Sequence, residues 1–164
     1  MSPEDEFRSF VAARTPALSR TAYLLTGDAH LAEDLVQTAL FKAARSWHRI
    51  QGDPEPYVRR ILYTQNVSWW RKRRPTETAL GGYDAPQPTS GDPELRLTLE
   101  EALARLTSRQ RTVLVLRYFE DLTEMQTGQA LGISAGTVKS TTRQAFARLR
   151  SLAPELAELI GDAS

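Results

Sequence analysis

Residues 122–150 read Leu-Thr-Glu-Met-Gln-Thr-Gly-Gln-Ala-Leu-Gly-Ile-Ser-Ala-Gly-Thr-Val-Lys-Ser-Thr-Thr-Arg-Gln-Ala-Phe-Ala-Arg-Leu-Arg and spell two short helices about a tight turn. Thr123 is placed to cap the first helix, with Gln126 three positions on as the returning partner of a capping box. Gly132 supplies the permissive backbone at which the chain reverses. Ser134 caps a second helix expected to run to about Leu152, with Val138, Ala145, Leu149 and Leu152 along one side. Thr137, Lys139, Ser140, Thr141, Arg143 and Gln144 are the candidates for contact with DNA, because short hydroxyls and long cations near a helix start reach base edges and phosphates together. Four cations and no acid lie between positions 139 and 150. The layout is that of a helix-turn-helix, and an ordinary helical hairpin with a basic face is the alternative this stretch leaves open. Gly128, inside the first helix, costs about 1 kcal/mol relative to Ala and so points to close packing against the second.

The rest of the chain is bounded by its size and charge. Its 164 residues suit one or two small domains, and 41% hydrophobic residues suffice for modest cores. A net charge of +1 draws the molecule to nothing in particular, so the distribution of charge is what matters. Residues 1–41 carry six acids against three bases, whereas 57–74 carry six bases and no acid. The chain has no cysteine, and its two histidines, His30 and His48, are well separated, which argues against disulfides, thiolate metal sites and metal catalysis. An acidic start where a signal peptide would be basic, and the lack of an apolar run of membrane length, read as a cytoplasmic protein with no membrane insertion.

One shift in composition divides the chain. In residues 75–93, eleven of nineteen are Pro, Gly, Ser or Thr, a mixture that resists helix and reads as a tether, or simply as a long loop. The expected architecture is all-α, with helical domains at 1–74 and 94–164 on either side of it; no strand pattern or internal repeat is evident. In the first domain a helix is expected from Phe7 to about Leu25, interrupted near Pro16 and closed by Thr26-Gly27-Asp28. A second spans 31–47 with Leu31, Leu35, Ala39 and Ala43 stacked four apart. In the second domain, Leu95, Leu99 and Leu103 or Ala102 form an apolar stripe, and Thr107 with Gln110 makes a further capping box ahead of Val113, Leu114 and Leu116.

Between the loop at 51–56 and the tether lies a basic helix, with Pro56 suited to its first turn. Val58, Ile61, Leu62 and Trp69 are assigned to its buried side, and Tyr63, Val67 and Trp70 to the opposite side beside Arg59, Asn66, Arg73 and Arg74. Exposed rings flanked by cations would let unpaired bases stack while guanidinium groups meet phosphates. Rings at this spacing are also at home in a core, and the helix alone does not decide between the two. A protein that held duplex with one domain and open strand with the other would be one that melts DNA.

Four motifs occur in order: Ala32-Glu33-Asp34-Leu35-Val36-Gln37; Tyr57-Val58-Arg59-Arg60 through Ser68-Trp69-Trp70-Arg71; Leu106-Thr107-Ser108-Arg109-Gln110-Arg111; and Leu131-Gly132-Ile133-Ser134 through Ser140. With them the chain resembles, over nearly its whole length, the bacterial RNA polymerase sigma factors of the extracytoplasmic-function group, the small type with only the second and fourth conserved regions. The resemblance implies a non-catalytic initiation factor without a cofactor, whose partners are promoter DNA and core RNA polymerase, through the beta-prime clamp and the beta subunit. It also implies that the helix spanning 31–47 docks on the clamp, with Asp34 and Gln37 as polar contacts and Leu40 or Phe41 as an apolar one. The loop at 49–53 and the basic helix would address the minus-ten element, with Asn66, Tyr63 and Trp70 trapping an extruded base, a step that costs a few kcal/mol of stacking. The helix-turn-helix would hold the minus-thirty-five element. Thr141, Arg143 and Gln144 stand where many relatives place an Arg or Gln, a Ser and an Arg, so the promoter sequence does not carry over. Whether an anti-sigma factor masks the protein is left open.

Two other classes are weaker fits. A plain helix-turn-helix regulator would carry a receiver or ligand-binding domain, of which there is no sign. An enzyme built on Glu33 and Asp34 would lack a nucleophile, a metal set and a phosphate loop.

Overall fold

The computed structural model describes residues 1–77 and 98–155, with side chains described for 1–72 and 98–155. The described residues are helical, without a strand, and the chain divides into two compact units, 1–70 and 71–164. Each unit is built on its own core.

In the first unit, α1 (Pro3–Thr26) begins where the Ser2 hydroxyl accepts a hydrogen bond from the Asp5 N–H, and Glu4, Asp5 and Glu6 complement the positive end of the helix. The helix runs through Pro16 without the expected interruption, and the ring of Pro16 lies on an exposed face. Gly27, at φ 69°, ends it by donating to the Tyr23 carbonyl, and Asp28 at once caps α2 (Ala29–Ser46) by accepting from the Leu31 N–H. A 3₁₀ turn, Trp47–Arg49, and the loop that follows lead into α3 (Glu55–Glu77), which belongs to this unit as far as Trp70. This last helix extends three residues into the expected tether; positions 78–93 of the tether fall outside the described residues. Leu18, Ala22 and Leu25 of α1, Leu35, Val36, Ala39 and Ala43 of α2, and Val58, Leu62 and Val67 of α3 are buried. Removing each large side chain from water contributes roughly 2 kcal/mol.

The second unit opens with the short helix α4 (Leu99–Ala104), capped by Thr98. The expected stripe resolves into buried Ala102 and Leu103, while its Leu95 end lies outside the described residues. Then α5 (Ser108–Leu114) starts with the Thr107–Gln110 capping box and passes into a π-helical turn, Val115–Phe119. Asp121, at φ 56°, turns the chain, and the Arg117 guanidinium donates to the Leu122 carbonyl at 2.6 Å. Both expected caps of the helix-turn-helix form. The Thr123–Gln126 box opens α6 (Glu124–Leu131), Gly132 at φ 73° closes it, and the Ser134 hydroxyl caps α7 (Ala135–Leu152) by accepting from the Thr137 N–H.

The reason for Gly128 is a backbone contact. A Cβ at this position would sit 2.5 Å from the Ile133 carbonyl oxygen, which belongs to the turn itself and cannot rotate away. Ile133 in turn donates its N–H to the Gly128 carbonyl at 2.9 Å. The glycine therefore sets how tightly the turn folds back on α6. Alanine would gain about 1 kcal/mol of helix propensity and lose about 2–3 kcal/mol to the clash. Gly128→Ala is expected to destabilise the protein by about 1–2 kcal/mol, read as a lower urea midpoint by circular dichroism; a neutral or stabilised variant would show that the turn relaxes freely.

Candidate nucleic-acid interface

On α7 the residues that pack are Val138, Thr141, Thr142, Ala145, Phe146 and Leu149, spaced three and four apart. Phe146 meets Tyr118 edge to face, with ring centroids 5.3 Å apart. Lys139, Ser140, Arg143 and Gln144 are exposed on the remaining surface, and Thr137 is half-buried with its hydroxyl 2.9 Å from that of Ser134. Thr141 is a correction to the expected set. It is only 4% exposed because it lies one turn from both Val138 and Ala145, so it supports the helix from beneath. Of the four cations, Arg148 is engaged internally, donating to the Arg105 carbonyl at 3.0 Å. Lys139 and Arg143 are the ones exposed in the first half of the helix.

The basic helix α3 is rotated relative to its expected orientation. Tyr63, Asn66 and Trp70 are 5%, 3% and 7% exposed, so none of them presents a face on which a base could stack. Val58, Leu62, Asn66 and Trp70 recur every four residues, and because four residues turn a helix by about 400°, such a stripe drifts about 40° per step. Over three steps it sweeps from Val58 toward the side occupied by Tyr63 and Val67, and all six of these residues are buried. The four-residue spacing was readable in the sequence. Val58 and Leu62 are buried as expected, whereas Ile61 and Trp69 are only half-buried.

Arg59 is also claimed internally. Its Nε donates to Glu55 Oε1 at 3.0 Å and its Nη1 to the Thr21 hydroxyl at 2.9 Å. The side chains of Arg73 and Arg74 lie outside the described residues. The surface that α3 does present carries Tyr57, Arg60, Thr64 and Lys72, all exposed, with Ser68 and Trp69 half-buried at its margin. It is basic and includes a ring, but these are different residues from those expected.

Ahead of α3, Ser46, Arg49, Ile50, Gln51, Asp53, Pro56 and Tyr57 line an open cavity of about 450 Å³. That volume falls within the range of roughly 300–1,000 Å³ typical of small-ligand pockets. The loop at 49–53 thus forms one wall of a cavity whose other wall is the first turn of α3. Gly52, at φ 75°, makes the bend.

On α2, Asp34, Gln37 and Phe41 share an exposed face, with Leu40 half-buried beside it. Phe41 is 66% exposed, an apolar ring on an otherwise polar surface. Gln37 donates to Glu33 at 3.4 Å.

The ionisation of the Glu55 carboxyl departs clearly from the ordinary. The hydrogen bond from Arg14 holds it below the usual glutamate range, burial opposes that shift, and Arg59 adds to it. A carboxyl depressed in the folded state stabilises the fold above the ordinary glutamate pKa, and this contribution is lost as pH falls through the folded-state value. Among the described residues no helix is long and apolar enough to cross a membrane, and no cluster of side chains could hold a metal ion.

One helical unit contains a helix-turn-helix whose second helix exposes Lys139 and Arg143, and the other carries a basic helix beside a small cavity, the layout of a transcription factor with two DNA-facing modules. The Sigma-70 region 2 family matches residues 10–76 and the Sigma-70 region 4 family residues 102–151. The RNA polymerase sigma-E factor of Streptomyces coelicolor is 38% identical over 88% of this chain and 84% of its own. SigL of Mycobacterium tuberculosis, an extracytoplasmic-function (ECF) RNA polymerase sigma factor, is 32% identical over 91% and 89%. Among solved structures, the sigma factor RpoE of Bartonella quintana, in complex with the anti-sigma factor NepR, superposes with a TM-score of 0.64 at 25% identity over 90% of this chain and 96% of that one. The chain belongs to the sigma-70 family, in its extracytoplasmic-function group.

Trp70→Ala removes a core ring, so it is expected to cost about 3–5 kcal/mol and to lower the thermal midpoint sharply; a variant that folds with wild-type stability and loses only DNA binding would reinstate the ring as a stacking platform. For Glu55→Gln, the thermal midpoint is expected to lie below wild type at neutral pH, and the gap should close as pH falls below the ordinary glutamate range. A gap that did not narrow on acidification would show that the carboxylate charge is not its source.

Proposed function

We propose that this protein binds core RNA polymerase and directs it to specific promoters, acting as an initiation factor in the cytoplasm and not as an enzyme. The observation that carries this reading is the pairing of two units with different polar surfaces. One presents Lys139, Ser140, Arg143 and Gln144 at the start of a recognition helix, where the duplex major groove is read, and with it the minus-thirty-five element. The other couples the 46–57 cavity to the exposed face of α3, where an unpaired base of the minus-ten element would enter while Arg60 and Lys72 meet the backbone.

Asp34, Gln37 and Phe41, with Leu40 at the margin, form the surface for the polymerase clamp, and the beta subunit is the other part of core that the protein meets. An acidic helix face suits a basic clamp, and burial of Phe41 would supply the apolar part of the contact. The polymerase contributes the metal and nucleotide chemistry, so no cofactor is required of this chain. An anti-sigma factor is a natural further partner, as one is for the Bartonella relative. Run-off transcription with purified core enzyme and a promoter library tests the reading. Discrete start sites that depend on the protein are expected; no start site, together with no binding to core, would reject it.

A further inference from the structure

Glu55 is the second residue after Asp53 and lies between two prolines, Pro54 and Pro56, in the first turn of α3. Its backbone N–H donates to Asp53 Oδ1 at 3.0 Å, which ties it to the cavity wall. Its carboxylate is engaged by α1 and α3 and does not line the cavity. Arg14 of α1 reaches it across 41 residues of sequence: Nη2 donates to Oε1 at 2.6 Å, and Nε stands 2.6 Å from Oε2 as an ion-pair contact. Arg59 binds Oε1 from one turn further along α3 and reaches back to Thr21 of α1 at 2.9 Å. Glu55 is therefore a junction through which the loop, the start of α3 and two points on α1 are joined.

From this geometry we infer that Glu55 is the positioning residue for strand capture: its clamp to Arg14 and Arg59 fixes the wall that Asp53, Pro56 and Tyr57 give to the 46–57 cavity. The inference rests on the reading of that cavity as the site of the extruded base. The prolines restrict φ at positions 54 and 56, so residues 53–57 move as a stiff segment, and Gly52 is the swivel at its far end. A stiff segment hinged at one end needs fastening at the other, and Arg14 provides it from outside the loop. Both carboxylate oxygens are occupied by guanidinium groups, so Glu55 works by holding the wall in place. Base selection demands placement to within about half an ångström, and a wall released by loss of the clamp would admit several bases or none in a fixed pose. Loss of the negative charge also leaves two guanidinium groups uncompensated near the cavity, so attraction for the phosphate backbone is not weakened.

The test uses holoenzyme assembled with wild type, Glu55→Gln, Arg14→Met or both. Binding is measured, below the lowest thermal midpoint of the set, to a single-stranded minus-ten oligonucleotide from a selected promoter and to the same strand with an abasic site at each position in turn. Wild type is expected to prefer the intact strand at one position. Each variant should lower that preference about five- to tenfold while its affinity for the abasic strand stays within about twofold, and the double variant should be no worse than either single one, since both break the same link. If wild type shows no preference at any position, the capture reading itself fails. If wild type discriminates and the variants discriminate equally well, or if the variants lose intact and abasic strands in equal measure, the positioning role of Glu55 is overturned.

Discussion

A helix in a small domain surrenders about half its circumference to the core, and function is confined to what is left. With cores made of only three or four helices, large side chains are in short supply, and the domain uses the rings it has. On α3 this constraint takes Tyr63 and Trp70 inside together with Asn66, and leaves Tyr57, Arg60, Thr64 and Lys72 at the surface. On α7 the same constraint puts Thr141 beneath the helix and leaves Lys139, Ser140, Arg143 and Gln144 above it. On α2 it leaves an acidic face with one exposed ring, Phe41. Three helices of one protein thus acquire three chemically distinct surfaces from a single packing rule.

How much of this was legible in the sequence depends on how local the deciding interaction is. The helix-turn-helix was readable because Thr123, Gln126, Gly132 and Ser134 each act within three or four residues, and every one of them performs its expected capping role. Gly128 was readable as a position of close approach, but only the structure shows that its partner is the Ile133 carbonyl, so that alanine would clash instead of helping. The rotation of α3 was harder. Its buried side is set by contact with α1 and α2, through bonds such as Lys42 to Gln65 and Arg59 to Thr21 that span 23 and 38 residues. The four-residue recurrence of Val58, Leu62, Asn66 and Trp70 was present in the sequence, but the polar Asn66 at its centre disguises it as a surface feature.

The loop before α3 gains its character from neighbours distant in sequence. Residues 49–53 suggest only a turn, and their conversion into one wall of a cavity requires the first turn of α3 to stand opposite. That turn has two prolines and the exposed N–H groups common to helix starts, which makes it a weak foundation on its own. Fastening to α1 through Arg14 and Arg59 makes it a firm one.

The chain's preference for Arg, eighteen against three Lys, takes on a structural meaning in the same light. Counting cations overstates the phosphate-binding surface, since several guanidinium groups serve internally. Arg111, 4% exposed, donates to the Ala104 carbonyl, and Arg148 donates to the Arg105 carbonyl, so the two satisfy the carbonyls left open at the end of α4. Arg117 does the same for Leu122 at the entrance to the helix-turn-helix, while lying 5.6 Å from the Tyr118 ring that packs on Phe146. A planar fork with five donors can hold a backbone oxygen or a carboxylate from a distance, a task that the point charge of a lysine performs poorly. In this protein arginine is therefore as much a fastening residue as a source of surface charge, and a guanidinium counts toward an exposed basic face only when nothing within the fold has claimed its fork.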